Sequence, residues 1–273
     1  MYPNDNSDTQ MLLKNADIAM YQAKEYGRNN FKFFHEQMHA DLMEYHELER
    51  DIREALHQGQ FHLAYQPKVN IRINQLQGLE ALLRWNSPTR GNVSPGNFIP
   101  VAEESGHIIP LGYWVLNEVC LTLRSWQDKG LTLVPVSVNV SARQFQQPDF
   151  HKRVAEVLRK HSIDPSLIEI ELTEGLVMED IDSAQRELAQ LKKIGLRISI
   201  DDFGTGYSCL SYLRRFPIDV LKIDKSFVQE IGGSRDGESI IDAIISLAKS
   251  LRLETVAEGV ETAAQLHYLL DHG

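Results

Sequence analysis

The sequence is poor in cysteine, with Cys120 and Cys209 the only two among 273 residues. A secreted domain held together by disulfides needs several cysteine pairs, so the sequence excludes that class. Low cysteine content is typical of proteins that are kept in a reducing compartment. We therefore expect the chain to be cytoplasmic.

Basic residues are also scarce, because 28 lysines and arginines stand against 38 aspartates and glutamates, for a formal net charge of −10. No basic stripe is present, which excludes a protein that coats a nucleic-acid polymer. A phosphate-bearing substrate is compatible with this charge if metal ions offset the repulsion locally.

Long hydrophobic runs are absent as well. The most apolar window, 108–123, contains Pro110, Asn117 and Glu118. A membrane span needs about 20 predominantly apolar residues, so this window predicts a buried helix instead. We expect no membrane contact by this segment.

From about residue 61 onward, the sequence shows a repeating pattern in which short β-like runs alternate with longer amphipathic stretches. Strand followed by helix, repeated, indicates parallel strands joined by crossovers. Seven such units predict a TIM-like (β/α) barrel rather than an open sheet. The predicted strands are 61–66, 76–83, 133–140, 167–172, 196–201, 219–224 and 254–258, and the predicted helices are 112–129, 150–161, 182–194, 209–216 and 239–252.

The residues before this pattern predict two helices. The first covers 12–24 and is followed by a strand-like stretch at 31–34. In the second, apolar residues recur at helical spacing from Met38 to Leu56, and Gly59 is the predicted stop. We divide the chain into a tail remnant of another domain (1–36), a leading helix (37–58) and the barrel (59–273).

Polar residues alternate with aliphatic ones inside the predicted strands. In Val136-Ser-Val-Asn-Val140 the valines share one face, and Ser137 and Asn139 share the other. The outward face of a barrel strand packs on helices, so we expect the polar face to point inward. The acid, amide or amine of each strand lies near its carboxyl end, where barrel enzymes gather their catalytic groups. These residues are Glu80, Asn139, Glu171, Asp201, Lys222 and Glu258.

Two adjacent carboxylates, Asp201 and Asp202, lie where an apolar run meets a glycine-rich loop. Their mutual repulsion is offset if a divalent cation binds there. A single acid at a strand end is equally well explained as a helix cap or a solvated loop residue. Convergence of several oxygen ligands, without histidine or cysteine, favours Mg²⁺ or Mn²⁺.

The segment Glu80-Ala-Leu-Leu-Arg84 resembles the signature of the EAL-type cyclic di-GMP phosphodiesterases of bacteria. Further segments match that family in order over residues 45–273, and the ordered set is far more specific than any one segment. They are Tyr65-Gln-Pro-Lys68, Phe98-Ile-Pro-Val-Ala-Glu103, Ser137-Val-Asn-Val-Ser141, Glu171-Leu-Thr-Glu174, Asp201-Asp-Phe-Gly-Thr-Gly-Tyr-Ser208, Leu221-Lys-Ile-Asp224 and Ala257-Glu-Gly-Val-Glu261.

The head of the chain has a resemblance of its own. Ala16-Asp-Ile-Ala-Met-Tyr-Gln-Ala-Lys24, followed by Gly27-Arg-Asn29, looks like the last helix and strand of a GGDEF-type diguanylate cyclase domain. The cyclase signature itself is absent from these 273 residues. The resemblance implies a parent protein with a GGDEF-type domain directly upstream, where any membrane anchor would also lie.

The resemblance to the EAL family implies hydrolysis of cyclic di-GMP to linear pGpG with two ions, Mg²⁺ or Mn²⁺. One metal would be held by Glu80, Asn139, Glu171 and Asp201, and the second by Asp201, Asp202 and Glu258. The residues with catalytic roles would be Lys222, Glu80 and Glu258. Lys222 would orient or deprotonate the attacking water, and a lysine beside cations is expected to have a lowered pKa.

The same resemblance also implies roles in substrate binding and loop anchoring for residues around the metal ligands. Arg84 would contact a substrate phosphate with its forked donors. Substrate contacts are also implied for Gln66, Leu82 and Glu261. Glu174 would anchor the loop that contains Gly204 and Gly206, and this loop would link metal binding to a homodimer.

The resemblance leaves alternatives open for the extent of the barrel and for the function. The family pattern includes one more strand and a final helix beyond Gly273, so the resemblance implies a barrel that is incomplete within these residues. A cyclic di-GMP receptor that binds without cutting is the main alternative, although such relatives usually lack some of the acids. A different metal-dependent barrel enzyme, such as an aldolase or a phosphomonoesterase, is disfavoured by the segments 80–84 and 201–208.

Overall fold

The structure, a computed structural model, describes residues 8–25, 31–205, 213–233 and 235–273. It begins with two helices, α1 (Thr9–Glu25) and α2 (Glu36–Gln58), as the apolar spacing predicts. Residues 31–35 are not a strand, so the strand predicted at 31–34 is wrong. The motif at 27–29 lies outside the described residues.

One curved sheet collects all eight strands that the described residues form. Its order is β1-β2-β4-β5-β6-β7-β8, with the short β3 paired to β2 alone, and the sheet is parallel from β2 through β4 to β8. The strands are β1 (Phe61–Asn70), β2 (Gln75–Ser87), β3 (Gly91–Val93), β4 (Val136–Asn139), β5 (Ile168–Thr173), β6 (Arg197–Phe203), β7 (Val220–Ile223) and β8 (Glu254–Ala257).

The first strand departs from the parallel arrangement. β1 and β2 form an antiparallel hairpin in which Gln66 lies opposite Glu80 and Lys68 lies opposite Gly78. The Asn70 carboxamide accepts hydrogen bonds from the next turn's backbone N–H groups, which closes the hairpin. The expectation of an all-parallel sheet is therefore wrong for β1, because the turn is too short for the dozen or more residues of a parallel crossover.

Contacts between strands that are distant in this order show that the sheet curls around an interior. Lys68 Nζ on β1 lies 2.6 Å from Glu171 Oε1 on β5. Lys222 Nζ on β7 lies 3.6 Å from Glu80 Oε2 on β2. Two strands separate the first pair and three separate the second. We call the enclosed space between these side chains the lumen, and its presence confirms the TIM-like barrel class.

Helices cover the outside of the curled sheet. Aliphatic side chains of the strands, such as Val136, Ile170 and Leu221, are buried against them in one large core. The polar face of each strand is left for the lumen, as the alternation predicts. The remaining helices are α3 (Pro95–Ser105), α4 (Ile108–Asp128), α5 (Ala142–Phe145), α6 (Phe150–His161), α7 (Glu174–Glu179), α8 (Ile181–Ile194), α9 (Lys225–Gln229), α10 (Arg235–Leu251) and α11 (Ala263–His272), with a 3₁₀ turn at Pro165–Leu167.

The leading helix α2 packs directly on the barrel. Ile52 and Ala55 are buried in a second core with Phe61 and Trp85 from the hairpin. At the surface, Arg90 Nε donates to the carboxylate of Asp51 at 2.8 Å. The helix ends at Gly59, whose φ of 66° is a left-handed conformation that glycine adopts without strain. The position of α2 is thus fixed by both apolar burial and an ion pair.

Within the described part of the chain, no helix combines the length and the apolar character that crossing a membrane requires. Cys120 is buried and forms no disulfide, and Cys209 lies outside the described residues.

Gly112 in α4 lies against Gln144, whose side chain forms a capping box with Ser141 at the start of α5. A Cβ at position 112 would lie 1.7 Å from Gln144 Nε2. We expect Gly112→Ala to lower the free energy of unfolding by about 1–2 kcal/mol, because Gln144 must move and the cap is lost. Urea unfolding followed by circular dichroism measures the difference.

A matched control is Gly96→Ala in α3, where the nearest atom lies 3.8 Å from the added Cβ. Since alanine is favoured over glycine inside a helix, this variant should be at least as stable as the wild type. Equal stability of the two alanine variants would contradict the steric explanation.

Candidate active site

Lys222 lies at the centre of the lumen's carboxyl end, with a side chain that is 1% exposed. Its Nζ lies 3.0 Å from Asp201 Oδ2 and 3.2 Å from Glu171 Oε2. A third carboxylate oxygen, Glu258 Oε1, is 2.6 Å away, and Glu80 Oε2 is at 3.6 Å. The structure therefore brings together four acids around one ammonium group, from β2, β5 and β6 and from just beyond the end of β8.

Asn139 completes the set of inward polar groups. Its carboxamide nitrogen donates to Glu80 Oε1 at 2.9 Å. This contact joins β4 to its neighbour β2, where Glu80 stands beside Ser137 in the parallel register. All six residues predicted from the strand ends thus lie in one contiguous cluster.

A bulge explains how two adjacent acids both reach the site. The pairing of β6 with β7 shifts register between Ile200 and Phe203, and Asp202 within this bulge has a φ of 53°. A bulge bends a strand and redirects its side chains. The carboxylate of Asp201 then accepts from the backbone N–H of Asp202 at 2.9 Å, while its other oxygen contacts Lys222.

Asp202 faces another acid, Asp224, which follows β7. The charge of Asp224 is one of the causes that raise the pKa of Asp202, and Asp224 also caps α9 by accepting from the Ser226 N–H. Sequence reasoning quoted Asp224 within a motif but gave it no role. The signal that could have found it is its place one residue beyond the end of β7, two residues after Lys222, because the neighbouring strands carry their acids at that level.

A second lysine, Lys68, was also missed. Its Nζ donates to Glu171 Oε1 at 2.6 Å and to Glu169 Oε1 at 2.9 Å. Glu169 lies two residues before Glu171 on β5, so alternation puts both on one face, but it identifies no partner for Glu169. Only the curling of the sheet brings β1 against β5, so no local pattern predicts this contact.

Below Lys68 the alternation of charge continues. Arg197 on β6 donates to Glu169 Oε2 at 3.3 Å and to Glu254 Oε2 on β8 at 2.8 Å. The lumen is therefore filled by a chain of acids and bases that descends from the cluster around Lys222. Each buried charge in it has an opposite partner, which is the condition under which charges are tolerated inside a protein.

The acids of the cluster differ in their proton affinity. Burial, helped by the charge of Glu171, raises the pKa of Glu80, and burial likewise raises the pKa of Glu258. The pKa of Asp202 is raised by burial and by the charges of Asp201 and Asp224. For Glu171 burial is again the largest influence, but Lys222 and Lys68 outweigh it and lower the pKa.

The lowered pKa expected for Lys222 beside bound cations stays a prediction, and without cations the direction is the opposite. Burial acts to lower it, but the carboxylates of Glu171, Asp201, Glu80 and Glu258 together outweigh burial and raise the pKa well above its ordinary value. The expectation assumed that cations dominate the surroundings of this amine, whereas the chain by itself surrounds it with anions. Lys222 is therefore an ammonium group here, able to donate hydrogen bonds but not to accept a proton.

The predicted substrate residues lie on β1, on β2 and just before α11. Leu82 and Arg84 follow Glu80 on the same face of β2, and Gln66 lies opposite Glu80 on β1. Arg84 is half-buried and donates to the carbonyl of Leu83. Glu261 is exposed just before α11, and only its backbone N–H has a described contact, with Gln265.

Glu174 is buried at the start of α7, with 3% of its surface exposed. Its Oε2 accepts a hydrogen bond of 3.0 Å from the backbone N–H of Gly204. Gly204 has a φ of 97°, and a Cβ there would lie 3.0 Å from Phe227, so glycine is required on both grounds. The contact predicted for the loop anchor is present, and Gly206 lies outside the described residues.

The donor set fits hard divalent cations in its chemistry. All the predicted ligands offer carboxylate or amide oxygens, which Mg²⁺ and Mn²⁺ prefer. Among the described residues no three acids, histidines or cysteines form a group arranged to hold a metal ion. The ammonium of Lys222 lies between the carboxylates and contacts all four, so binding of cations requires these side chains to rearrange around it.

Comparison with known proteins identifies the family. A family model described as "EAL domain" matches residues 49–273. A bifunctional diguanylate cyclase/cyclic di-GMP phosphodiesterase, MucR of Pseudomonas aeruginosa, is 45% identical over 98% of this chain and 39% of its own length. The cyclic di-GMP phosphodiesterase PdeR of Escherichia coli is 41% identical over 99% of this chain and 41% of its own length. The chain thus spans about two fifths of these relatives.

The fold agrees with solved structures. A structure titled "PaMucR Phosphodiesterase, c-di-GMP complex" superposes with a TM-score of 0.80 at 44% identity, over 83% of this chain and 92% of that one. The chain therefore matches a solved structure in its fold and the family model in its sequence. The chain belongs to the EAL domain family.

Proposed function

We propose that this chain hydrolyses one phosphodiester bond of cyclic di-GMP to give linear pGpG, with two divalent cations, Mg²⁺ or Mn²⁺. The observation that supports this most directly is the convergence of Glu80, Glu171, Asp201 and Glu258 on Lys222 at one end of the lumen. Relatives that are named for this activity match nearly the whole chain.

The residues that would hold the cations follow from the cluster. Glu80, Asn139, Glu171 and Asp201 would hold one ion. Asp201, Asp202 and Glu258 would hold the other, and Asp224 is a further acid near this set because its charge raises the pKa of Asp202. When bound, a pair of such ions lowers the pKa of an attacking water and stabilises the charge on the leaving oxygen.

Lys222 would orient or deprotonate the attacking water. Without bound cations the surrounding carboxylates raise its pKa, and the contacts with Asp201, Glu171 and Glu258 fix the direction of its N–H donors. A donor held in this way positions an oxygen without a change in its own protonation state.

The substrate would be bound by side chains outside the acid cluster. Arg84 would bind a phosphate with those guanidinium N–H groups that do not donate to the Leu83 carbonyl. Gln66, Leu82 and Glu261 would contact the remainder of the dinucleotide. We also propose a homodimer coupled to the loop at Gly204, and an upstream GGDEF-type domain in the parent protein.

The decisive assay incubates the purified chain with cyclic di-GMP and Mg²⁺ or Mn²⁺ and follows pGpG by chromatography. We expect product with either metal and none after chelation with EDTA. Tight binding of cyclic di-GMP without pGpG would favour the receptor alternative. A chain extended past residue 273, assayed in parallel, measures what the additional residues contribute to the rate.

Asp201→Asn should reduce turnover by at least about 100-fold, because Asp201 is assigned to both metals and even indirect supports of a metal site are worth about 10–100-fold. Steady-state kinetics at saturating Mn²⁺ measures the loss. The matched control is Asp219→Asn, since Asp219 pairs with Lys192 and the backbone of Ile198 outside the cluster. A near-normal rate in Asp201→Asn would contradict the bridging role.

Glu174→Ala should reduce turnover by about 10-fold, because the loop at Gly204 loses its hydrogen bond to a buried carboxylate while every metal ligand is retained. Glu174→Gln keeps an accepting oxygen and should lose less. Hydrogen exchange of the loop amides, measured beside the rate, separates this role from general unfolding. Unchanged exchange in Glu174→Ala would eliminate the anchor proposal.

A further inference from the structure

Lys68 enters the lumen from the side opposite to Lys222. Its stem comes from β1, and its cross-strand neighbour is Gly78, which has no side chain to compete for the space. The ammonium of Lys68 contacts Glu171 and Glu169, which are two residues apart on one face of β5. The Lys68 side chain is 15% exposed, so the pair of contacts is largely shielded from water.

Glu171 is held at both of its oxygens. Oε1 accepts from Lys68 at 2.6 Å, and Oε2 accepts from Lys222 at 3.2 Å. The carboxylate is fully buried, so water cannot replace either partner. The two lysines hold different oxygens of the carboxylate, so loss of Lys68 removes the lysine donor to Oε1 and leaves Lys222 on Oε2.

The orientation of Lys68 is itself supported from below. Glu169 accepts from Lys68 with one oxygen and from Arg197 with the other. Arg197 is in turn bonded to Glu254 at the far end of the lumen. None of these four residues, Glu254, Arg197, Glu169 and Lys68, is assigned to a metal or to substrate. The last of them, Lys68, contacts Glu171, which is assigned to a metal.

We propose that Lys68 is a positioning residue, which fixes the carboxylate of Glu171 from beneath so that the oxygen facing Lys222 is presented to the site's cations. This inference rests on the proposed function, because it assigns a supporting role within the same site. Partners that orient a metal ligand through a hydrogen bond commonly change metal affinity by about 10–100-fold.

A simpler role predicts the opposite result. If Lys68 only supplied positive charge near the site, its removal would make the lumen more negative, and cations would bind more tightly. If Lys68 positions Glu171, its removal weakens binding despite the gain in negative charge. The sign of the change in cation affinity therefore separates the two roles.

The experiment titrates Mn²⁺ alone into the purified chain and measures its dissociation constant by calorimetry and by electron paramagnetic resonance. Lys68→Met should weaken Mn²⁺ binding by about 10–100-fold, and Lys68→Arg should recover part of the loss because it restores a cation that can reach both acids. Lys192→Met is the matched control, since it removes another half-buried lysine paired with a carboxylate, Asp219. Its Mn²⁺ affinity should equal that of the wild type.

Thermal unfolding establishes that each variant is folded. If Lys68→Met does not fold, Glu169→Gln tests the proposal instead, because it weakens the second anchor of Lys68 and should weaken Mn²⁺ binding several-fold. Unchanged or tighter Mn²⁺ binding in the folded variant, or no recovery with arginine, overturns the positioning role. Those results would leave the proposed hydrolysis standing, whereas a wild type that binds no Mn²⁺ would remove both proposals.

Discussion

The arrangement of this domain depends on charge compensation inside a curled sheet. Five buried or half-buried acids converge in the lumen, and they are compatible with a folded chain only because two lysines lie among them. Lys222 binds the acids at the strand ends, and Lys68 binds the pair on β5. A buried carboxylate without such a partner would take up a proton or disfavour folding. The acids are Glu80, Glu169, Glu171, Asp201 and Glu258.

This compensation bears directly on function. In the proposed reaction the cations would have to share these carboxylates with Lys222. The lysine would then have two tasks, to offset part of the negative charge of the acids and to act on the attacking water. Its raised pKa suits the first task, which needs a positive charge.

The sequence predicted much of this site because strand alternation is a local property. Successive side chains of a strand point to opposite faces, which already separates the lumen face from the helix face around Glu169 and Glu171 and in the residues that lead to Asp201. Lys68 could not be predicted, because its partners are 101 and 103 positions away along the chain and only the curl of the sheet unites them. The antiparallel direction of β1 could have been predicted from its short link to β2. The raised pKa of Lys222 could not, because it depends on four carboxylates that no single motif contains.

The long separation between Lys68 and its partners also bears on synthesis. The hairpin of β1 and β2 is complete once residue 87 has been added, and it already carries Lys68 and Glu80. Glu171, Asp201, Lys222 and Glu258 are synthesised later, on β5, β6 and β7 and just beyond the end of β8. A nascent chain therefore has only fragments of the cluster, which is complete only when Glu258 reaches Lys222.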